Sequence, residues 1–146
     1  MPDPAPLTDP EIQQLAADWY AMLDNHVPFE QYVPLLAADA EFRFPEATVR
    51  GPNGFRGWYE GVIRKFFDET HTLKSVRPTL KGDSADVQVV VNWQASMWTP
   101  PAAKSERINA DAYQRWVVVR SAQTQKPVIS VYIVDSLDYL PGSATI

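Results

Sequence analysis

The stretch S-A-D-V-Q-V-V-V-N-W-Q-A-S-M-W, residues 84–98, alternates apolar and polar side chains through its central part. Val87, Val89, Val91 and Trp93 fall at every second position, with Gln88 among the residues between them. Alternation with a period of two residues is typical of a β-strand that buries one face. We therefore predict a long strand over residues 84–98 and expect the fold to be built around it.

Two later runs, residues 107–120 and 128–137, are also rich in β-branched and aromatic residues. Each run is long enough to twist strongly and to curl. Weaker strand patterns precede them at residues 40–45 and 71–80, and the turn sequence K-G-D-S at residues 81–84 leads into the long strand. The C-terminal half is therefore predicted to be four strands in series.

Helical patterns fill the N-terminal half. Apolar stripes predict a capped helix over residues 9–25, a short or kinked helix over 28–36 and a third helix over 54–69. Helices that cover one face of an antiparallel or mixed sheet make an α+β fold. We expect one domain over residues 8–140, preceded by a loose Pro-rich arm at residues 1–7 and followed by a tail at residues 141–146.

Composition excludes several classes of function. The formal net charge of -5 and the pI of about 4.9 argue against nucleic-acid binding, which needs a basic surface. No apolar run approaches a membrane span and no signal peptide is recognisable, so a cytoplasmic protein without a membrane partner is expected. The chain has no cysteine and two histidines without a zinc-binding spacing, so no metal site is expected.

Several stretches carry a resemblance to a known family: P-L-L-A-A-D-A-E-F-R-F-P at residues 34–45, R-G-P-N-G-F-R-G-W-Y at 50–59, D-A-Y-Q-R-W at 111–116 and V-I-S-V-Y-I-V-D at 128–135. They resemble the SnoaL-like branch of the nuclear-transport-factor-2-like superfamily, which includes relatives of ketosteroid isomerase and scytalone dehydratase. The resemblance implies a cone-shaped, strongly curved sheet whose concave face is covered by three N-terminal helices. It also implies a ligand pocket between helices and sheet, no cofactor, and a homodimer formed through the outer sheet face.

The resemblance to ketosteroid isomerases implies roles for three residues. Tyr20 matches their first-helix tyrosine, Asp111 matches the protonated strand acid of the oxyanion hole, and Tyr59 matches a supporting tyrosine. Such an acid must be kept neutral by an apolar site so that it can donate a hydrogen bond. The position of the catalytic base falls on Phe44, which cannot take a proton, so this isomerisation mechanism is not expected.

The resemblance to scytalone dehydratase points to a different pair. An aspartate late in the first helix and a histidine at the start of the second strand match Asp24 and His71. A carboxylate that fixes the tautomer of an imidazole makes a general acid/base unit. Two structural alternatives stay open, namely that Asp24 ends the helix and that His71 caps a strand at the rim.

The alternation along the long strands suggests a second polar cluster. If Asp111 faces the pocket, then Tyr113 and Arg115 share its side, and the family register puts Asp135 inward on the last strand. Because buried charges need partners, Arg115 would then bridge one or both carboxylates. This cluster would orient a substrate or serve as a structural ion pair, and a shift of one residue would turn it to the outer surface.

These observations predict a protein that binds a small apolar, aromatic or polyketide-like molecule and that is a cofactor-independent isomerase, dehydratase or cyclase. Tyr20, His71, Asp111 and Asp135 are the candidate catalytic residues. The candidate ligand-binding residues, for several of which the alternative is plain core packing, are Trp19, Phe44, Trp58, Tyr59, Tyr113 and Arg115. The competing hypotheses are a non-catalytic ligand-binding or dimeric assembly domain and, less favoured, a subunit of a larger oxygenase.

Overall fold

The computed structural model describes residues 4–146. The chain runs through helix α1 (Asp9–Asp24), two 3-10 turns (Phe29–Gln31 and Val33–Leu35), strands β1 (Leu36–Arg43) and β2 (Thr48–Arg50), helix α2 (Gly51–Lys65), and strands β3 (Phe66–Lys81), β4 (Ser84–Met97), β5 (Glu106–Arg120) and β6 (Pro127–Tyr139). This is the mixed α+β arrangement that the sequence predicts. Within the described residues, no helix combines the length and the apolar character that crossing a membrane requires.

The six strands form one sheet in the order β2-β1-β6-β5-β4-β3. Strands β3 to β6 pair antiparallel in sequence order, whereas β1 pairs parallel with β6. The parallel pair is possible because the chain between β1 and β6 is long enough to cross over. The sheet is therefore mixed, and its β3–β6 part is the series of strands predicted from the C-terminal half.

Helix α1 begins with a capping box in which Thr8 accepts from the backbone N–H of Glu11 and the Glu11 side chain accepts from the Thr8 backbone. Its apolar stripe, which packs on one face of the sheet, consists of Ile12, Leu15, Ala16, Trp19, Tyr20 and Leu23. We call the sheet face toward this helix the inner face and the opposite one the outer face. The core lies between the inner face and helices α1 and α2.

Several elements differ from the prediction, among them β1, which spans Leu36–Arg43 instead of residues 40–45, and α2, which begins at Gly51 instead of residue 54. The second helix is replaced by the two 3-10 turns, because Pro34 supplies no backbone N–H to continue an α-helix. Residues 48–50, which lie outside every predicted strand, form the short edge strand β2. Helix α2 ends at Lys65, and β3 begins at Phe66, five residues before the predicted start of the strand at His71.

The inner and outer faces of β5 are opposite to those predicted. Inner-face positions of β4, such as Val91, are fully buried, and Val91 pairs with Ala112 of β5. Residues directly opposite each other in a ladder share a face, so Ala112 points inward and its neighbours Asp111 and Tyr113 point outward. A strand slip of one residue reverses every side chain, which is why the whole predicted cluster on β5 moves to the outer face.

The same correction applies to the predicted inward cluster of Asp111, Arg115 and Asp135. Arg115 does pair with Asp135, with its Nε and Nη2 at 2.8 and 2.9 Å from the two carboxylate oxygens. The pair lies on the outer face and is exposed, so it is a surface ion pair rather than part of a pocket. Asp111 pairs instead with Lys74, at 2.9 Å.

The predicted loose arm is tied down where the structure describes it, and residues 1–3 lie outside the described residues. Leu7 is buried, and its backbone N–H donates to the carbonyl of Gly82 at 2.7 Å. Arg120 donates to the carbonyls of Ala5 and Pro6, at 2.8 Å each. The prediction of looseness is therefore wrong for residues 5–7, which a strand-end arginine fastens to the sheet.

Arg120 also makes a two-pronged ion pair with Glu11, with nitrogen–oxygen distances of 2.7 and 2.8 Å. The Arg120 side chain is only 7% exposed. Its hydrogen bonds lower the pKa of Glu11 from 4.5 to about 2. Since the folded pKa lies below the ordinary one, ionised Glu11 stabilises the fold above about pH 4.5, and this contribution is lost as the pH falls toward about 2.

We predict that Glu11→Gln lowers the free energy of unfolding at neutral pH by about 1–2 kcal/mol, because it removes the partner of a mostly buried guanidinium. The variant should also lose less stability than the wild type when acidified between about pH 4.5 and 2. Urea denaturation at several pH values measures both effects. The control is Glu60→Gln, which breaks the exposed helical pair with Arg56 and should cost less than about 0.5 kcal/mol. Equal losses in the two variants would contradict the prediction.

Candidate active site

A cavity of about 100 Å³ opens between helix α2, the inner sheet face and the last residues of the chain. Its wall is mainly apolar and aromatic, formed by Leu23, Phe44, Trp58, Val62, Phe66, Val91, Trp93, Ala112, Tyr132, Val134, Leu137 and Ile146. Four polar residues interrupt this wall: Glu46, Glu69, His71 and Gln114. An apolar pocket with a few convergent polar groups is the usual form of a small-molecule site.

His71 and Asp24 form the carboxylate–imidazole pair of this cavity. The Nδ1–H group of His71 donates to Oδ1 of Asp24 at 2.6 Å, and the backbone N–H of His71 lies 3.0 Å from both carboxylate oxygens. The ring is therefore held by its side chain and its backbone together. Because Nδ1 carries the donated proton in the neutral ring, Nε2 carries the lone pair. Nε2 has no hydrogen-bond partner among residues 4–146.

A β-bulge near the start of β3 directs these side chains. The pairing with β4 shifts by one residue between Phe67 and Thr70, where Asp68 adopts a positive φ of 50°. One extra residue reverses the alternation of a strand. Phe66 before the bulge and His71 after it consequently both face the cavity, although an uninterrupted strand would turn them to opposite sides.

A second carboxylate–imidazole pair lies beside the first. His26 Nε2 forms a short contact with Oε2 of Glu69, and Oε1 of Glu69 accepts from the Trp93 indole N–H at 3.1 Å. The Glu69 side chain is only 4% exposed. Glu69 borders both the cavity and an open polar groove that also contains Asp24, His26 and Arg107. The wall between cavity and groove is thus built from two imidazole–carboxylate contacts.

Gln114 is a buried polar side chain on the inner face of β5. Its Oε1 accepts from the Tyr20 hydroxyl at 2.8 Å and from the Trp116 indole N–H at 3.0 Å. The hydroxyls of Tyr20 and Tyr132 lie 3.3 Å apart. Burial raises the pKa of Tyr20 and of Tyr132 above the usual value for a tyrosine, so both hydroxyls keep their protons.

The structure brings together two of the four candidate catalytic residues, His71 and Tyr20, whose stacked rings have centroids 4.9 Å apart. His71 lines the cavity, and Tyr20 lies behind its wall, bonded to Gln114. Asp111 and Asp135 lie on the other side of the sheet. The hydrogen bond from Lys74 lowers the pKa of Asp111, and this is the opposite of what a protonated oxyanion-hole acid requires.

The candidate ligand-binding residues also separate. Phe44 and Trp58 line the cavity as a stacked pair, with ring centroids 3.7 Å apart. Trp19 is buried in the core, and the Tyr59 hydroxyl donates to the carbonyl of Val27 at 2.6 Å. The prediction that Tyr113 and Arg115 face the ligand is wrong, since both lie on the outer face of β5.

Sequence reasoning did not assign roles to Gln114, Glu69 or Tyr132. The strand pattern around Gln114 held a usable signal, because a polar residue interrupts an apolar series that includes Ala112 and Trp116. No comparable signal marks Glu69. The bulge that turns it inward lies at Asp68, which adopts a positive φ, and no glycine or proline in the sequence marks that position.

A family model for the SnoaL-like domain matches residues 7–124. The chain belongs to the SnoaL-like domain family. This confirms the resemblance that the sequence carries. No functionally curated protein matches the chain.

Solved structures similar to this SnoaL-like protein share its fold at low identity. The hexachlorocyclohexane dehydrochlorinase LinA-type3 from Novosphingobium barchaimii is 17% identical, with 94% of this chain and 92% of that one covered and a TM-score of 0.73. A protein provisionally assigned as a scytalone dehydratase from Novosphingobium aromaticivorans is 15% identical, with coverages of 94% and 88% and a TM-score of 0.66. A protein of unknown function with a cystatin-like fold from Nostoc punctiforme is 16% identical, with coverages of 96% and 98% and a TM-score of 0.72.

We predict that Asp24→Asn lowers the free energy of unfolding by about 1–3 kcal/mol, because it weakens the acceptor for the backbone and ring N–H groups of His71. In the wild type the neutral His71 ring should carry its proton on Nδ1, and the variant should lose this preference. Urea denaturation gives the first value, and long-range ¹H–¹⁵N NMR of the ring gives the second. The chain has only two histidines, so His26→Asn assigns the signals.

The control for this prediction is Asp18→Asn on the same helix, where the carboxylate meets only the exposed Gln14 side chain. It should change stability by less than about 0.5 kcal/mol. A wild-type His71 ring protonated on Nε2 in its neutral form would contradict the assigned tautomer.

Proposed function

We propose that this SnoaL-like protein is a cofactor-independent acid/base enzyme that catalyses an elimination from a small molecule, in the manner of a dehydratase. The observation that carries the proposal is the Asp24–His71 pair at the edge of an apolar cavity, with the Nε2 lone pair unused. A mainly apolar cavity holds little water, so few water molecules compete with the base for the substrate proton. Two similar structures bear the names dehydrochlorinase and dehydratase, and both names denote eliminations.

The proposed step uses one base on one face of the substrate. Nε2 of His71 takes a proton from the carbon next to an activating group, and the electrons of that C–H bond form a carbon–carbon double bond. The hydroxyl on the adjacent carbon leaves with its bonding electrons and takes the proton from His71, so that water departs and the ring returns to its neutral form. Asp24 stabilises the imidazolium between these events. Electrons are neither gained nor lost overall, so the chemistry requires no redox cofactor.

The size of the cavity supports a small substrate. An enclosed apolar cavity of about 150 Å³ can hold a benzene molecule. The cavity here, at about 100 Å³ with an open side, suits a molecule of roughly one ring whose remainder extends toward the opening. The stacked Phe44–Trp58 pair at the wall offers a flat surface to such a ring.

Binding without catalysis is the second candidate function. Its support is that Asp24 also accepts the backbone N–H of His71, a contact that fastens the end of α1 to β3 whether or not chemistry occurs.

The homodimer, the cone-shaped sheet and the cytoplasmic location stay predictions. Sedimentation of the purified chain would decide the first of these.

We predict that the wild type exchanges the protons next to the carbonyl of cyclohexanone for deuterium in D₂O and converts β-hydroxycyclohexanone into cyclohexenone. His71→Asn should reduce both rates by about 10²-fold or more, because it removes the base. Asp24→Asn should reduce them at least about tenfold, because an amide can hold the ring in the wrong tautomer. Proton NMR follows both reactions.

Matched controls for this experiment are Asp111→Asn and Asp135→Asn, the same chemical change on the outer sheet face. Both should retain the wild-type rates within about twofold, since surface changes away from the site have small effects. Full activity of His71→Asn would rule out its role as the base. Saturable binding with no exchange or elimination in the wild type would favour the binding protein.

A further inference from the structure

The Gln114 amide can adopt only one orientation. An indole N–H group donates and cannot accept, so Trp116 Nε1, at 3.0 Å, must face the amide oxygen rather than the amide nitrogen. Exchanging O and N would place two donors against each other in a buried site. The Trp116 ring therefore identifies Oε1 and turns the NH₂ group the other way.

A chain of hydrogen bonds reinforces this orientation. The single proton of the Tyr20 hydroxyl is donated to Oε1 of Gln114 at 2.8 Å. Tyr132, whose oxygen lies 3.3 Å from that of Tyr20, must then be the donor in their contact. In this chain Tyr132 donates to Tyr20 and Tyr20 donates to Gln114, so each hydroxyl donates its one proton once. Oε1 is thus saturated by two donors, from Tyr20 and from Trp116.

The NH₂ group of Gln114 is left with capacity to donate. Gln114 lines the cavity, and its Nε2 has no hydrogen-bond partner among residues 4–146. Among residues 4–146, the buried side-chain polar atoms without a partner are Trp19 Nε1 and the Tyr32 hydroxyl, so the Gln114 amide nitrogen reaches the cavity and is not sealed in the core. Its placement in a mainly apolar wall is best explained by a partner that the protein itself does not supply.

The charges around the cavity restrict that partner. Of the cavity-lining residues in the described part of the chain, none is a lysine or an arginine. Glu69 and Glu46 are the acidic residues of the wall, and Glu69 is almost fully buried. An anionic ligand would meet negative charge without a cation to balance it.

We propose that Gln114 is the specificity-determining residue of the cavity, and that its oriented NH₂ group donates to an acceptor atom, such as a carbonyl oxygen, on a neutral ligand of about one ring. The proposal deepens the proposed function by naming the substrate class of the same cavity. It requires only binding, so it stands or falls separately from the elimination chemistry.

The test uses two probes of nearly equal shape, cyclohexanone and methylenecyclohexane, which differ by a carbonyl oxygen in place of a CH₂ group. Titrations followed by tryptophan fluorescence give the ratio of their Kd values, methylenecyclohexane over cyclohexanone, for each variant. Gln114→Met should lower this ratio by about three- to tenfold relative to wild type, the worth of one hydrogen bond. Gln88→Met, an exposed position on the outer face of β4, should leave it unchanged.

Gln114→Met leaves Tyr20 and Trp116 without their acceptor, which can prevent the variant from folding. A second measurement therefore uses the wild type. The Gln114 side-chain amide signals of the wild type, assigned from ¹⁵N-labelled glutamine, should shift saturably with cyclohexanone and much less with methylenecyclohexane. Cyclohexanecarboxylate should bind at least about tenfold more weakly than cyclohexanone. The proposal is overturned if neither cyclohexanone nor methylenecyclohexane binds. It is also overturned if the Gln114 amide signals do not shift with cyclohexanone, or if cyclohexanecarboxylate binds as tightly as cyclohexanone. Cyclohexanone has no leaving group on the adjacent carbon, so these binding measurements give their result whether or not the protein catalyses an elimination.

Discussion

The Asp24 carboxylate is the contact on which the candidate site depends, because it joins the end of α1 to the start of β3 through both the backbone and the ring of His71. A side chain held at two points has little freedom to leave its geometry, and preorganised groups of this kind are what acid/base chemistry requires. The bulge at Asp68 completes the arrangement, since it turns the residues after it toward the cavity. The position of His71 is therefore set by one contact between α1 and β3 and by one bulge in β3, rather than by the sheet as a whole.

Gln114 shows how a polar residue is tolerated on a buried strand face. Within residues 4–146, Ser96 and Gln114 are the polar residues that are buried as whole residues, and β5 around Gln114 is apolar on that face. Burial of an amide is affordable when its oxygen is satisfied, and Tyr20 and Trp116 provide that. Its unsatisfied half points to a role beyond stability, because natural sequences tend to break local rules at functional sites.

The sequence predicted β4, β5 and β6 to within two residues at each end, because period-two alternation is strong where one face is buried and the other is not. It failed at the boundary between α2 and β3, where Phe66 continues the helical stripe and no turn residue marks the change. It also failed on the faces of β5, which were placed by matching D-A-Y to a relative's motif. The apolar alternation through Ala110, Ala112 and Trp116 indicates the correct face. For a strand with one buried face, this alternation determines which side chains point inward, and it outweighs the match to a motif. The pairing of His71 with Asp24 was recoverable only through the resemblance, since 47 positions separate them.

The two imidazole–carboxylate contacts in the cavity wall look equivalent, yet their unused capacity differs. Both oxygens of Glu69 are engaged, one by Trp93 and one by His26, so each already has a partner within the protein. In the other contact the carboxylate is equally occupied, but the His71 ring keeps one nitrogen free at the cavity. A group whose hydrogen bonds are all satisfied by its own protein gains little from a substrate. Chemistry is therefore expected at His71 and Gln114, where the protein leaves an acceptor nitrogen and an amide donor without a partner. It is not expected at the better-buried Glu69.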